Sequence, residues 1–93
     1  MKIVWDERKR LSNIAKHGFD FEDVSELDWT TAFVEVSKKP STTERRFKAI
    51  GYFRDGTAAV VFATLGAEAI SVISFRQASE QERRRLPWPR PKS

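Results

Sequence analysis

The chain has no cysteine, and its only histidine is His17. Disulfide frameworks, thiolate metal sites, cysteine nucleophiles and histidine clusters are therefore all excluded. The four glycines are scattered over turns and one strand, so no glycine-rich loop is available to cradle a phosphate. Long apolar runs are missing too. The longest, Ala58 to Ala63, is far below the roughly 20 residues a membrane-crossing helix needs. The start, Met1-Lys2-Ile3-Val4-Trp5-Asp6, meets charge before any apolar stretch of signal-peptide length. A cytoplasmic protein without membrane contact is expected. With 93 residues, of which 40% are hydrophobic, the chain can build one small core but not two. Two-domain enzymes are excluded, and any active site must be shallow.

Charge is abundant and unevenly placed. Residues 1–75 carry eleven basic and eleven acidic side chains, which cancel. From Arg76 onward six cations face two acids, so the whole net charge of +4 lies in this last stretch. Within the balanced part, five acids and no base fall between Asp20 and Asp28, and six bases accompany Glu44 between Lys38 and Arg54. Such segregation predicts a basic face able to neutralise phosphates and an acidic one able to attract a basic partner. Solvated faces with no partner are the plain alternative.

The apolar pattern predicts one α+β domain, in the order β-α-α-β-β-β-β-α, with its helices on one side of an antiparallel sheet. Lys2 to Trp5 is a short strand. Asp6 caps a helix from Glu7 to His17, in which Leu11, Ile14 and Ala15 form a narrow stripe, and Gly18 ends it with positive φ. Asp20 caps a second, short helix carrying Phe21, Val24 and Leu27 at threefold spacing. Trp29 to Val36 reads as a strand, Ser37 to Thr43 as a loop, and Arg45 to Phe53 as a strand alternating basic with apolar residues. Asp55-Gly56 signals a type I′ hairpin turn into Thr57 to Thr64. Gly66 turns the chain into a last strand, Ala69 to Arg76, giving an antiparallel meander of four strands. Ser79-Glu80-Gln81-Glu82 fits a capping box that opens a short helix. Residues 1–86 then form the domain, and 87–93, rich in proline, form an extended and mobile tail.

No metal set, nucleophilic triad or cofactor motif is visible, so no cofactor is expected. What remains is a group of cations on strands, Arg46, Lys48, Arg54 and Arg76, with His17, Glu44, Tyr52 and Glu82 as proton-transfer groups. They suit the cleavage of RNA without a metal, in which the 2′-hydroxyl attacks its own phosphate. The protein then orients the strand, stabilises the phosphorane charge and assists two proton transfers. Each residue also has a structural reading: Arg46 and Lys48 as the wet face of an edge strand, Arg76 as a partner of Glu82 or Glu80, His17 as a helix C-terminal cation, and Glu82 as a capping-box residue.

Val4-Trp5-Asp6, Asn13-Ile14-Ala15-Lys16-His17-Gly18-Phe19-Asp20-Phe21, Ile50-Gly51, and Ile73-Ser74-Phe75-Arg76-Gln77-Ala78-Ser79-Glu80-Gln81-Glu82-Arg83 together resemble the BrnT family of bacterial toxins. The resemblance runs from about Lys2 to Leu86. It implies a ribonuclease toxin of a type II toxin–antitoxin module, with a RelE-like fold, that inhibits translation by cutting RNA. The implied partner is a BrnA-like antitoxin, a dimeric ribbon-helix-helix protein that neutralises the toxin and ties it indirectly to operator DNA. The positions matching the family motif are Trp5, Asp6, Asn13, Lys16, His17, Gly18, Phe21, Gly51, Ser74, Arg76, Ala78, Glu82 and Arg83. Arg76 is the first functional candidate among them and His17 the next. Analogy with RelE-like toxins adds Arg46, Lys48 and Arg54.

The expected catalytic set is therefore Arg76, Lys48, Arg46, His17 and Glu82. Arg54, Arg83, Arg84 and Arg85 are expected to bind RNA, and Glu22, Glu26 and Asp28 to receive basic segments of the antitoxin. Two positions depart from the family pattern: Ser71 stands where many members have arginine, and Leu86 where many have tyrosine. These losses leave a second reading open, an antitoxin-binding module with weak or no catalysis. Direct DNA reading, by contrast, lacks any helix with the side-chain pattern of a major-groove reader.

Overall fold

The computed structural model describes residues 1–37 and 45–91; the expected loop residues 38–43 and the end of the tail lie outside the described residues. A five-stranded sheet organises the chain. Strand β1 (Lys2–Trp5) leads into helix α1 (Glu7–His17) and a 3-10 helix, Phe21–Glu26. Strands β2 (Phe33–Ser37), β3 (Arg46–Phe53), β4 (Gly56–Leu65) and β5 (Ala69–Gln77) follow, and helix α2 (Glu80–Arg83) comes last. The spatial order is β1-β5-β4-β3-β2. Strands β2 to β5 form the expected meander, but β1 lies parallel to β5, pairing Lys2 with Ala69 and Trp5 with Val72. The sheet is mixed rather than antiparallel.

Local chemistry sets the ends of the elements. The Asp6 carboxylate accepts from the Arg8 amide, and Gly18 closes α1 at φ 73°, donating its N–H to the Ile14 carbonyl. The second helix is a 3-10 helix, not an α-helix, capped by Asp20 and ended by extended Leu27. Short runs are the usual setting of the tighter 3-10 turn, and this one buries Phe21 and Val24. The next strand begins at Phe33, four residues later than expected. The Asp28 carboxylate accepts from the Thr30 amide at 3.2 Å and from the Thr31 hydroxyl at 3.0 Å. These local bonds hold the preceding segment in a turn. The hairpin is also displaced: Phe53 pairs with Gly56, so the turn is centred on Arg54-Asp55, and Arg54 takes φ 52°.

The 3-10 helix covers one face of the sheet, where Phe21, Val24, Leu27, Phe53, Val60, Phe62, Val72 and Phe75 form the main core, whereas α1 borders β5: the expected stripe stays outside the core, with Leu11 57% exposed and Asn13 buried instead. Phe75 meets the rings of Phe19 and Phe53 edge-on, each at 5.0 Å. Alternation along β3 sends Ile50 and Tyr52 to the opposite face, where they form a smaller cluster with Leu86, just beyond α2. The short C-terminal helix therefore lies across the sheet from the 3-10 helix, correcting the one-sided arrangement. No described helix is long and apolar enough to cross a membrane.

Beyond Trp5, the edge of β5 that faces away from β4 has no described strand beside it. There the Asn13 side chain takes over, donating to the Phe75 carbonyl at 2.7 Å and accepting from the Phe75 amide at 3.1 Å. It satisfies one residue of strand edge as a neighbouring strand would. Asn13 also donates to the Phe19 carbonyl at 2.9 Å, which fixes the chain reversal after α1.

Candidate active site

The smaller cluster covers only part of its face, and beyond it the sheet is open. Register places Glu35, Lys48, Val61 and Ser74 in one row across β2 to β5, with Phe33, Ile50, Ala59 and Arg76 in the next. On the other side of the Lys48 row stand Ser37, Arg46, Ala63 and Ser71. The cations Arg46, Lys48 and Arg76 thus share one face, as the alternation along β3 requires.

Glu82 is the hub. Its carboxylate accepts from the Ser79 amide at 2.8 Å while Ser79 Oγ accepts from the Glu82 amide at 3.2 Å, completing the capping box at the start of α2. The same carboxylate receives both Nη atoms of Arg76, at 2.7 and 2.9 Å, and lies 2.8 Å from Lys48 Nζ. The expected choice between cap and charge partner is resolved as both. Lys48 also lies 3.5 Å from Glu35, and the Arg85 guanidinium approaches Glu35 at 3.9 Å while lying over the Phe33 ring. The Glu82 side chain is only 10% exposed, against 31% for Arg76 and 24% for Lys48. The anion is at the bottom and the cations present their outer sides to solvent. Hydrogen bonds from Arg76, then Lys48 and the Ser79 amide, hold the Glu82 carboxyl well below the usual carboxylate range despite burial, and Glu82 in turn raises Arg76. Such a group stays ionised at neutral pH, so it cannot donate a proton there.

The remaining candidates are elsewhere. Arg54, at the β3–β4 turn, is held by Glu26 at 2.9 Å and Asp23 at 3.3 Å. Arg83 lies over the Trp88 ring, and Arg84 pairs with Glu80 at 2.9 Å on the surface. Glu22 and Asp28, expected with Glu26 to receive a partner, face Arg10 at 3.8 Å and Arg90 at 2.5 Å. All three acids are thus met by arginines of their own chain. Arg90 also lies over the Tyr52 ring, and the Tyr52 hydroxyl donates to the Pro87 carbonyl. His17 is not among the groups around Glu82; with Lys16 it lines a depression of about 360 Å³ between α1 and β5, which reaches Ser74. Glu35 was not foreseen. Its pairing with Lys48 depends on strand register, which a loop of unknown geometry conceals in the sequence.

A family model described as the ribonuclease toxin BrnT of type II toxin–antitoxin systems matches residues 5–82. The chain belongs to the BrnT family. It is also similar to the Brucella abortus ribonuclease toxin BrnT, known from a 1.1 Å crystal structure, at 48% identity and a TM-score of 0.69; the match covers 86% of this chain and 99% of that one. A comparison with curated proteins finds no match. Membership in a type II toxin–antitoxin family implies an antitoxin partner.

Most BrnT motif positions have structural work here. Trp5 meets Phe21 edge-on, Asp6 and Gly18 cap α1, Asn13 holds the β5 edge, and Ala78 packs on the smaller cluster. At Gly51 a Cβ would lie 3.0 Å from Leu27 Cγ, which explains the glycine. Lys16, His17, Ser74 and Arg76 are left around the open face and its margin with Glu82, which also closes the capping box, and Arg83 lies over Trp88. Of the departures from the BrnT pattern, Leu86 is buried against Ile50 and Tyr52, and Ser71 shares the row of Arg46.

Proposed function

We propose that this chain is a metal-independent endoribonuclease toxin. The observation that carries the reading is the convergence of Arg76 and Lys48 on one buried carboxylate, with their outer sides open on the face that also holds Arg46. In the proposed reaction the 2′-hydroxyl attacks the adjacent phosphorus and the bond to the 5′-oxygen breaks, leaving a 2′,3′-cyclic phosphate and a 5′-hydroxyl. Arg76, Lys48 and Arg46 bind the phosphate and offset the charge that grows on its oxygens. Glu82 is a positioning residue: ionised and fully engaged, it holds two cations in place. His17 is the proton-transfer candidate beside that face, and Arg83, Arg84 and Arg85 are placed by the proposal along the RNA path. The cut inhibits translation.

A fold related to RelE-like toxins and a cytoplasmic setting accompany this reading. The proposed antitoxin is a BrnA-like ribbon-helix-helix dimer that neutralises the toxin and carries it to operator DNA. A second reading, an antitoxin-binding module without catalysis, draws on the saturation of Arg76 by Glu82 and on Ser71 and Leu86.

The test is incubation of antitoxin-free protein with end-labelled RNA in excess EDTA, beside Arg76→Ala and the double variant Arg46→Ala/Lys48→Ala. Cleavage that falls about 10²- to 10³-fold in the variants and leaves cyclic phosphate ends supports the nuclease. Equal cleavage by all three refutes the site. No cleavage, with harmless expression and retained antitoxin binding, favours the second reading.

A further inference from the structure

Several described cations of this chain meet a carboxylate. Arg10, Lys48, Arg54, Arg76, Arg84, Arg85 and Arg90 each lie within ion-pair distance of one. Arg8, Lys9 and Lys16 do not; among the described residues no acid pairs with them, and none lines the depression where they gather with His17. Spacing explains the gathering, because Arg8, Ser12 and Lys16 fall at i, i+4 and i+8 on one face of α1. Unpaired cations held together repel one another, and a bound anion relieves that repulsion.

The far wall of the depression is β5. A register shift between Val61 and Phe62 pairs them with Ser74 and Val72, which leaves Ile73 as an extra residue. Successive strand residues normally point to opposite faces, yet Ile73 and Ser74 both line this depression, as a bulge allows. Ser74 also stands in the Lys48 row, two strands away or about 10 Å. The depression and the open face therefore meet at Ser74. Hydroxyls of Ser12 and Ser74 among the cations suit phosphate oxygens.

We propose that the depression between α1 and β5, lined by Arg8, Lys9, Ser12, Lys16, His17 and Ser74, is a second phosphate-binding site. It seats the backbone of the RNA strand flanking the segment on the sheet face. This rests on the ribonuclease reading of that face, which it extends over the β5 edge.

The test uses the full chain free of antitoxin and a 2′-O-methyl oligonucleotide, which lacks the attacking hydroxyl and stays intact. Affinity is measured against salt for the parent and for Arg8→Gln/Lys9→Gln/Lys16→Gln, while backbone amide shifts are followed by NMR. Each phosphate contact contributes about 0.7 to the slope of log K on log salt for a single strand. The variant slope is therefore expected to be shallower by about 2, making the affinity lost between 50 and 200 mM salt about 16-fold smaller. Amides of Ser12, Lys16 and Ser74 should shift together with those of Lys48 and Arg76. The three replaced side chains are exposed and glutamine is a good helix former, so an unchanged melting curve checks the fold. Shifts on the sheet with silence at α1 and an unchanged slope overturn the second site and leave the nuclease reading standing. Shifts at α1 with a silent sheet keep the phosphate site and remove the sheet as the RNA face. A response at α1 to a polyglutamate peptide but not to the oligonucleotide assigns the surface to an acidic protein segment and overturns the proposal. Silence of both regions toward the oligonucleotide overturns both readings.

Discussion

Replacing Glu82 with glutamine removes one charge while keeping the side-chain shape and an oxygen for the Ser79 amide. In the parent the carboxylate accepts three contacts from cations at 2.7 to 2.9 Å. Charge-assisted hydrogen bonds contribute about 1.5 to 3 kcal/mol each where buried. Arg76 and Lys48 keep 31% and 24% of their side-chain exposure, so water can take back part of what the carboxylate held. The amide oxygen at the Ser79 amide retains a weaker bond from Arg76 Nη1, whereas the amide nitrogen replaces the oxygen that faced Arg76 Nη2 and Lys48 Nζ. The net loss expected at pH 7 is about 2 to 3 kcal/mol, a fall in Tm of about 10 to 20 °C for a domain of this size. The pH dependence has a definite sign. Folding lowers the pKa of Glu82, so its contribution is complete above the ordinary glutamate value of about 4.3 and is lost as acid protonates it in the folded protein. Melting curves of parent and Glu82→Gln should therefore lie far apart at pH 7 and converge from about pH 4 downward. A gap under about 3 °C at pH 7, or one that persists unchanged to pH 3, would refute the view of Glu82 as the ionised hub.

Asn13→Leu should destabilise by about 2 to 4 kcal/mol, because the Phe75 amide and carbonyl lose their partner at the β5 edge; denaturant titration measures it. Gly51→Ala should cost about 1 to 3 kcal/mol from overpacking against Leu27, and Leu27→Ala in the same chain should add less than its separate cost, a non-additivity read by a double-mutant cycle. Arg54→Ala should change stability by less than about 1 kcal/mol, since Arg54 and Glu26 are 57% and 48% exposed; a thermal shift above 8 °C would contradict this.

Local signals in the sequence are borne out where the interaction that makes them is local. Asp6, Gly18 and the Ser79–Glu82 box act within four residues of their partners, and each occurs as expected. The alternation of Arg46, Lys48, Ile50 and Tyr52 likewise assigns them to one face before any partner strand is known. What depends on distant pairing is concealed. A four-residue strand such as β1 carries no mark of the strand it joins or of its direction, so its parallel pairing with β5 escaped. The 3-10 helix shares its caps and apolar spacing with a short α-helix and differs mainly in pitch. Asp28 could be read as charge for a partner, yet its bonds to Thr30 and Thr31 delay β2. For the site, the face was legible but its wiring was not. Glu35 enters through register, and His17 is separated from Glu82 because α1 borders β5 while α2 lies across the sheet.

The attachment of α1 through Asn13 has a consequence for synthesis. Asn13 and Phe75 are 62 residues apart, and among the described residues β1 pairs with the same late strand. At translation rates of about 5 to 20 residues per second, the first helix waits several seconds before the edge it caps exists. Arg76 and Glu82 emerge later still, so a nascent or prematurely ended chain holds neither a closed sheet nor the cationic cluster. The edge that Asn13 caps and the cluster around Glu82 thus form only as the chain nears completion.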